Sequence, residues 1–89
     1  MLKRVRVFIS GKVQKVGFRY FTKLEAKSFN LSGLVRNLDD GRVEAVFEGE
    51  EENIKKMLAW CKEGSAPSKV RKVERVEEKV EGLIDFDIL

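Results

Sequence analysis

The 89-residue sequence predicts one α+β domain, from residue 1 to residue 89, in which two helices cover a single β-sheet. Three observations lead to this prediction. Several short segments alternate between apolar and polar residues, which is the pattern of half-buried strands. Two longer segments space their apolar residues three and four apart, which is the pattern of amphipathic helices. Turns containing glycine separate these segments, and no repeat, linker or low-complexity stretch divides the chain.

A strand, a loop and a helix are predicted over the first third of the chain. Residues 3–9 alternate between β-branched residues and basic or aromatic ones, which predicts a strand. Residues 11–17 have glycine at both ends and are predicted as a loop. No helix breaker occurs from Phe18 to about Asn30, and apolar residues recur there at helical spacing. We therefore expect an amphipathic helix that starts directly after the loop.

A hairpin and a second helix are predicted next. Residues 34–38 form a short apolar strand, and Asp-Asp-Gly at 39–41 is a turn signal because Gly41 can take the positive φ of a tight hairpin. Residues 43–48 alternate as the returning strand. The second helix begins with acidic residues, which favour the positive end of the helix dipole, and ends at Gly64. Its apolar residues form one stripe that is predicted to be buried: Ile54, Met57, Leu58 and Cys61.

Residues 69–80 are ambiguous. Their four valines lie three, three and four residues apart, which slightly favours a helix. The β-branched content and the missing N-cap favour a strand instead. Residues 84–88 alternate and are predicted as a final strand. If residues 69–80 form a strand, the element order is that of a ferredoxin-like split βαβ sandwich, with an antiparallel sheet and two helices on one face.

Positive and negative charges are unevenly divided along the chain. Residues 1–38 contain nine Lys or Arg and one acidic residue, for a net charge of +8. Residues 39–89 contain nine Lys or Arg and fourteen acidic residues, for a net charge of −5. A basic half often indicates an anionic partner. The alternative is that the two halves pack together and offset each other's charge.

The composition also narrows the setting and the chemistry. Cys61 is the only cysteine, so no disulfide can form within the chain. No stretch approaches the ~18 apolar residues of a membrane span, and the N-terminus does not resemble a signal peptide. We therefore expect a cytoplasmic protein with no membrane partner. Histidine, the commonest general base and metal ligand, is missing, and no metal or cofactor is implied.

Residues 11–19, Gly-Lys-Val-Gln-Lys-Val-Gly-Phe-Arg, are the most informative segment for function. They lead from a predicted strand into the start of a helix, where the first amides have no partner within the helix and can bind an anion. A run of amides before the helix can deepen this into a concave nest. Arg19 lies in the first helical turn, and Lys15 is close in sequence. This pattern predicts a phosphate site; the alternative is an ordinary connection with surface lysines.

Two segments resemble the signatures of the acylphosphatase family. Residues 11–19 are similar to Gly-x-Val-Gln-Gly-Val-x-Phe-Arg. Residues 33–43, with Gly49 further on, are similar to a second pattern: Gly-aromatic-x-x-Asn, three residues, Gly-x-Val, five residues, Gly. The resemblance covers about residues 3–88. It implies the ferredoxin-like fold, a strand at residues 69–80, and hydrolysis of acyl phosphates to carboxylate and inorganic phosphate.

The resemblance also implies roles for individual residues. Arg19 matches the arginine that holds the phosphoryl group, and Asn37 matches the asparagine that orients the attacking water. Thr22 matches a threonine that helps with water or substrate. The backbone cradle for the phosphoryl group is matched by Gln14, Lys15, Val16, Gly17, Phe18 and Arg19. The implied partner is a small acyl phosphate, with a phosphate or sulfate ion as the expected occupant of the site, and the protein is expected to be a monomer.

The chain departs from the family pattern at two positions. Lys15 stands where the first signature has glycine, which would let the backbone take a positive φ or let phosphate approach closely. We expect Lys15 to shift the loop, crowd the cradle or add positive charge at its rim, with activity retained but affinity or rate changed. Leu34 stands where the second signature has an aromatic residue, and we expect this to change packing only.

Two other functions are compatible with the fold. One is a non-catalytic module that binds phosphate or carbamoyl phosphate, such as the related domains of hydrogenase-maturation proteins. The other is RNA binding, because the RNA-recognition motif has the same fold. That motif has aromatic residues on its central strands, whereas Phe8 and Phe47 are the only aromatics in the two predicted strands concerned. No nucleic-acid partner is therefore expected.

Overall fold

The computed structural model describes all residues from Met1 to Leu89. Five strands and two helices follow one another as β1 (Leu2–Lys12), α1 (Phe18–Ser28), β2 (Ser32–Asn37), β3 (Val43–Glu50), α2 (Glu51–Glu63), β4 (Lys69–Glu78) and β5 (Phe86–Ile88). The strands form one sheet in the order β4-β1-β3-β2-β5. The helices pack on this sheet and against each other. The predicted ferredoxin-like α+β fold is confirmed.

The sheet is mixed. β1 pairs antiparallel with β3 and with β4, and β2 pairs antiparallel with β3, as predicted. β5 differs from the predicted antiparallel sheet, because it pairs in parallel with β2. The chain leaves β4 at one edge, crosses to the other edge and reverses its direction. β4 and β3 both run antiparallel to β1, and β2 runs antiparallel to β3, so β2 runs opposite to β4. Because β5 also runs opposite to β4, it is parallel to β2.

The core lies between the sheet and the helices. β1 and β3 supply alternate residues to it, which agrees with the predicted alternation. The predicted stripe of α2 is buried in this core, including Cys61, as expected for a small apolar residue. Burial raises the pKa of the Cys61 thiol to about 12. The largest contributors from the two central strands are Val7, Ile9, Val43 and Phe47.

A β-bulge in β4 explains why Val70 and Val73 have helical spacing in sequence. Ser10 of β1 pairs with Lys72, but the next residue, Gly11, pairs with Val70, so Arg71 is an extra residue without a partner. The extra residue puts Val70 and Val73 on the same face although they are three apart, and both pack against the core. The helical interpretation of residues 69–80 was therefore wrong, and the strand implied by the family resemblance was right.

The face of the sheet opposite the helices is covered by ion pairs. Arg4 is almost fully buried there; its Nη1 donates to Glu48 Oε2 at 2.8 Å and its Nε donates to Glu78 Oε1 at 3.0 Å. Arg6 donates to Glu78 at 2.8 Å and to Glu44 at 2.7 Å. Arg36 also donates to Glu44. These pairs join arginines of the basic half to carboxylates of the acidic half.

Glu48 also holds the segment that crosses from β4 to β5. Its carboxylate accepts the backbone N–H groups of Glu81 at 2.8 Å, Gly82 at 3.1 Å and Leu83 at 2.9 Å. One carboxylate thus fixes both Arg4 and the crossing segment. Part of the charge asymmetry in the sequence is therefore structural, and the basic residues near the start of α1 lie outside this ion-pair network.

Candidate active site

The two signature segments meet at one end of the sheet. β1 and β2 both run antiparallel to the strand between them, β3, so they share a direction and their carboxyl ends lie at the same edge. The loop after β1, the start of α1 and the end of β2 enclose a cavity of about 180 Å³. This cavity is lined by Val13, Lys15, Gly17, Phe18, Arg19, Tyr20, Asn37 and Ile88.

Arg19 and Asn37, the two residues expected to be catalytic, are thus brought into one cavity although 18 positions separate them in sequence. Lys15, Gly17 and Phe18 of the expected cradle lie there too. Val16 packs against the core. Thr22 is fully buried, and its Oγ1 donates to the backbone carbonyl of Phe18 at 2.7 Å. The structure therefore places the Thr22 hydroxyl within α1 and not among the groups that line the cavity.

The N-terminus of α1 is open to an anion. Gly17 is the N-cap, with φ 75° and ψ 15°, and no side chain caps the helix. No acidic residue lies in the first turn of α1, whereas α2 has Glu51 and Glu52 there. The Phe21 N–H donates to the Gly17 carbonyl at 3.1 Å, so the amides before Phe21 precede the first i→i−4 bond. These amides and the helix dipole favour a negatively charged ligand.

Lys15 has φ 64°, in the left-handed region that favours glycine. The position therefore requires the conformation that the family glycine would supply, and the loop keeps it with a lysine. For a residue with a Cβ this conformation costs roughly 1–2 kcal/mol. The side chain of Lys15 is exposed at the edge of the cavity. Of the effects expected from this substitution, the structure therefore supports added positive charge at the rim.

Arg19 is half-buried beside the helix start. Its Nη1 donates to the backbone oxygen of Leu89 at 2.7 Å, which fixes the orientation of the guanidinium. The other N–H groups of this planar fork remain available to a ligand. No Asp or Glu lines the cavity. The side chains that line the cavity therefore carry two positive charges, from Lys15 and Arg19, and no negative charge.

Asn37 is the last residue of β2, and its backbone is paired with Val43. Its side-chain Oδ1 is buried and has no hydrogen-bond partner within the chain. An unpaired buried acceptor costs about 1–3 kcal/mol, and such a group in a native structure often has a functional reason. At this place, the amide oxygen can accept a hydrogen bond from a water in the cavity.

Gln14 has a role that the sequence did not predict. Its Nε2 donates to the backbone carbonyls of Leu38 at 2.8 Å and Arg42 at 2.9 Å. The Leu38 N–H donates to the same Arg42 carbonyl at 2.8 Å, which closes the β2–β3 hairpin. Gln14 therefore ties the loop after β1 to the hairpin that begins directly after Asn37. Its position in the first signature was the available signal, but only its backbone was expected to take part.

Three aromatic or apolar residues complete the surroundings of the site. Phe18 is buried and stacks on Trp60, with ring centroids 5.5 Å apart. Tyr20 and Ile88 line the cavity. Ile88 comes from β5, and only the parallel pairing of β5 with β2 brings it to Asn37. Nothing local in the sequence could have identified it.

The fold and the cavity define a small ferredoxin-like protein with a positively charged cavity at a helix N-terminus. A sequence model of the acylphosphatase family matches residues 5–88, and the chain belongs to the acylphosphatase family. It is 48% identical over 87 residues to an acylphosphatase of Trichormus variabilis, covering 98% of this chain and 86% of that protein. It is 51% identical over 85 residues to an acylphosphatase of a Synechococcus species, covering 96% and 90%.

Solved structures agree with this assignment. The crystal structure of acylphosphatase from Bacillus subtilis has a TM-score of 0.95 and 42% sequence identity, covering 100% of this chain and 99% of that one. Full-length HypF in its phosphate- and nucleotide-bound form contains a similar domain, with a TM-score of 0.89 and 29% identity, covering 100% of this chain and 12% of that one. No helix of the structure has the length and apolar character needed to span a membrane.

Proposed function

We propose that this member of the acylphosphatase family hydrolyses acyl phosphates in the cavity between α1 and the end of β2. The observation that carries the proposal is the unpaired Oδ1 of Asn37 in the same cavity as Arg19. In the reaction, water attacks phosphorus and the bond between phosphorus and the acyl oxygen breaks. The products are a carboxylate and inorganic phosphate, and the proton released by the water passes to them or to solvent.

The phosphoryl group binds at the start of α1. The free amides of the first helical turn and the preceding loop donate to its oxygens, and the Arg19 fork binds two oxygens at once. Phosphoryl transfer passes through a loose transition state whose charge lies mainly on the transferred group. Fixed donors in a cavity without carboxylates stabilise that charge without having to reorganise.

Asn37 orients the attacking water. Its Oδ1 accepts a hydrogen bond from the water, which directs the oxygen lone pair toward phosphorus. Because a carboxylate is a good leaving group, the reaction does not need a strong general base. This chemistry suits a chain without histidine. The hydrogen bonds of Gln14 to Leu38 and Arg42 keep Asn37 in position relative to the phosphoryl site.

Further parts of the proposal follow from the same arrangement. Residues 1–89 form one acylphosphatase-like domain, and Gln14, Val16 and Thr22 support the cradle through packing and hydrogen bonds. A free phosphate or sulfate ion would occupy the phosphoryl site. We also propose a monomer in the cytoplasm; the charged edge strand β4 and the buried, unpaired Cys61 support this.

The test is phosphate release from benzoyl phosphate by the parent and three variants. Arg19→Ala and Asn37→Ala should each lower kcat by about 10²-fold or more, by analogy with the loss of a group that stabilises a transition state. Arg75→Ala is the matched control, because Arg75 is exposed on β4, pairs with Val7 in the middle of β1 and does not line the cavity; its turnover should equal that of the parent.

Binding of inorganic phosphate, measured by calorimetry, separates the two roles. Arg19→Ala should lose phosphate affinity, whereas Asn37→Ala should retain most of it because Asn37 acts on the water. Phosphate binding by the parent without any turnover of benzoyl phosphate would contradict hydrolysis and indicate a non-catalytic module. Turnover by Asn37→Ala at the parent rate would contradict the role of Asn37.

A further inference from the structure

We propose that the side chain of Lys15 gives this enzyme a preference for acyl phosphates whose acyl group carries a second negative charge. The inference rests on the proposed function, because it takes Arg19 and the start of α1 as the phosphoryl site. It assigns to the Lys15 side chain a role in selecting the acyl group, separate from the role of its backbone amide in the cradle.

The backbone does not account for a lysine at this position. At φ 64° a glycine would form the same loop without the steric cost of a Cβ. Strained residues of this kind are concentrated at functional sites, where the surrounding structure maintains them. The observation that requires explanation is therefore a long cationic side chain kept at the edge of the cavity.

The charge of Lys15 is not used within the protein. Its ammonium group takes part in none of the eleven ion pairs of the structure. Of the eleven lysines, only Lys3, Lys55 and Lys72 contact a glutamate, and Lys15 is the one lysine that lines the cavity. Because no carboxylate lines the cavity either, the Lys15 charge is available to a ligand.

The position of Lys15 matches the acyl end of the substrate. Once the phosphoryl group occupies the amides and Arg19, the acyl group extends toward solvent past the remaining lining. That lining consists of Tyr20 and Ile88, which are 57% and 41% exposed and therefore lie at the mouth, together with exposed Lys15. An acyl group with a short apolar part and a distal carboxylate fits this surface, because the apolar part contacts Tyr20 or Ile88 and the carboxylate meets the ammonium.

A matched pair of substrates tests this inference. 4-Carboxybenzoyl phosphate and 4-methylbenzoyl phosphate have the same ring and similar size, and they differ in one distal negative charge. The parent should show the higher kcat/KM with the carboxylated substrate. Lys15→Met should lower the ratio of the two kcat/KM values roughly threefold to fivefold, as expected for an exposed ion pair. Methionine has similar length and the same backbone constraint, so the comparison isolates the charge.

Two control variants and one change of condition complete the experiment. Lys12→Met removes the same charge from the exposed end of β1, outside the cavity lining, and should leave the ratio at the parent value. Lys15→Arg should retain the preference. The preference should also decline as the salt concentration rises, because exposed charge pairs are screened.

The outcomes distinguish this inference from the function on which it rests. If Lys15→Met slows both substrates equally, Lys15 acts on the phosphoryl group and the inference is wrong. If the parent hydrolyses both substrates equally well, the inference is again wrong while the hydrolytic function stands. If the parent hydrolyses neither substrate, the proposed function itself fails, and the inference fails with it.

Discussion

At the scale of single residues, two unfavourable features occur in the same cavity. Asn37 has a buried acceptor without a partner, and Lys15 has a backbone conformation that favours glycine. Neither feature contributes to folding, and each costs on the order of 1 kcal/mol or more. Their coincidence beside Arg19 is what we expect where stability has been given up for function.

Replacing Lys15 with glycine should therefore stabilise the protein. Loss of the Cβ relieves roughly 1–2 kcal/mol of strain in the folded state. The greater conformational freedom of glycine in the unfolded chain lowers the free energy of unfolding by roughly 0.5–1 kcal/mol and so offsets part of this gain. We expect the free energy of unfolding to rise by about 0.5–1 kcal/mol, measured by urea denaturation.

Asn30→Gly is the matched control for this prediction. Asn30 also has a positive φ, of 59°, but asparagine tolerates this conformation better than lysine. Its replacement should therefore give a smaller gain than Lys15→Gly. A lower free energy of unfolding for Lys15→Gly would contradict the strain argument.

At the scale of elements, the site depends on how one loop is attached to one hairpin. Gln14 bridges them through the carbonyls of Leu38 and Arg42, and Asn37 immediately precedes this hairpin. The proposed phosphoryl site and the proposed water site belong to different elements. Their relative position therefore depends on contacts such as these, in addition to the pairing of β1 and β2 with β3.

Gln14→Leu should lower kcat more than it raises KM. Leucine has similar volume but cannot donate to the two carbonyls, so Asn37 is held less firmly while the amides and Arg19 still bind the phosphoryl group. We expect about a tenfold decrease in kcat, typical of a small displacement of a catalytic group, and a loss of about 1–2 kcal/mol in stability.

Asp40→Ala is the control that distinguishes a loss of Asn37 positioning from a general loss of hairpin stability. Asp40 accepts the Arg42 N–H at 3.0 Å in the same turn but does not contact the loop after β1. This variant should lose some stability while its kcat stays near the parent value. An equal decrease in kcat for both variants would show that hairpin stability alone controls the rate.

At the scale of the whole molecule, the ion pairs on the face of the sheet opposite the helices make the free energy of unfolding sensitive to low pH. Burial alone would raise the pKa of Glu48, but the backbone N–H of Glu81 and the Arg4 guanidinium more than offset it and lower the pKa below its usual value. Burial opposes the lowered pKa of Glu44 in the same way, and Arg36 and Arg6 outweigh it. Hydrogen bonds from Arg6 and Arg4 lower the pKa of Glu78.

The free energy of unfolding should therefore be nearly constant between about pH 5.5 and 8 and should decrease below about pH 4.5. A carboxylate whose folded-state pKa is lowered stabilises the protein above its unfolded pKa, about 4.3 for Glu, and this contribution is lost as the pH falls toward the folded-state value. The absence of histidine removes the usual titration near pH 6.5. Urea denaturation at a series of pH values measures the profile.

Glu48→Gln tests the origin of this acid sensitivity. The variant should be less stable than the parent at pH 7, because Arg4 loses a buried charged partner, and its stability should change less between pH 6 and pH 3. Glu63→Gln, at the exposed end of α2, should keep the parent profile. An unchanged acid decrease in Glu48→Gln would assign the effect to other carboxylates.

Much of the fold and part of the site could be predicted because their signals are local. The alternation in β1 and the apolar stripe of α2 each depend on residues close in sequence, and each has its predicted structure. The loop predicted at residues 11–17 starts only after Lys12, because Gly11 and Lys12 still pair with β4. The helical spacing of Val70 and Val73 misled the prediction, because a bulge against Gly11 produces the same spacing within a strand. A bulge depends on the partner strand and leaves no reliable signal in its own segment.

The sequence by itself determined most of the elements, the family resemblance and the location of the proposed anion site, because a helix start after a glycine-flanked loop exposes its amides in any tertiary context. Only the tertiary structure decided what surrounds that site. Pairing of β1 and β2 with β3 brings Asn37 close to Arg19, and the crossing of the chain to β5 adds Ile88. Gln14 donates hydrogen bonds to carbonyls that are 24 and 28 positions away in sequence. These contacts join residues that are distant in sequence, so local propensity cannot encode them.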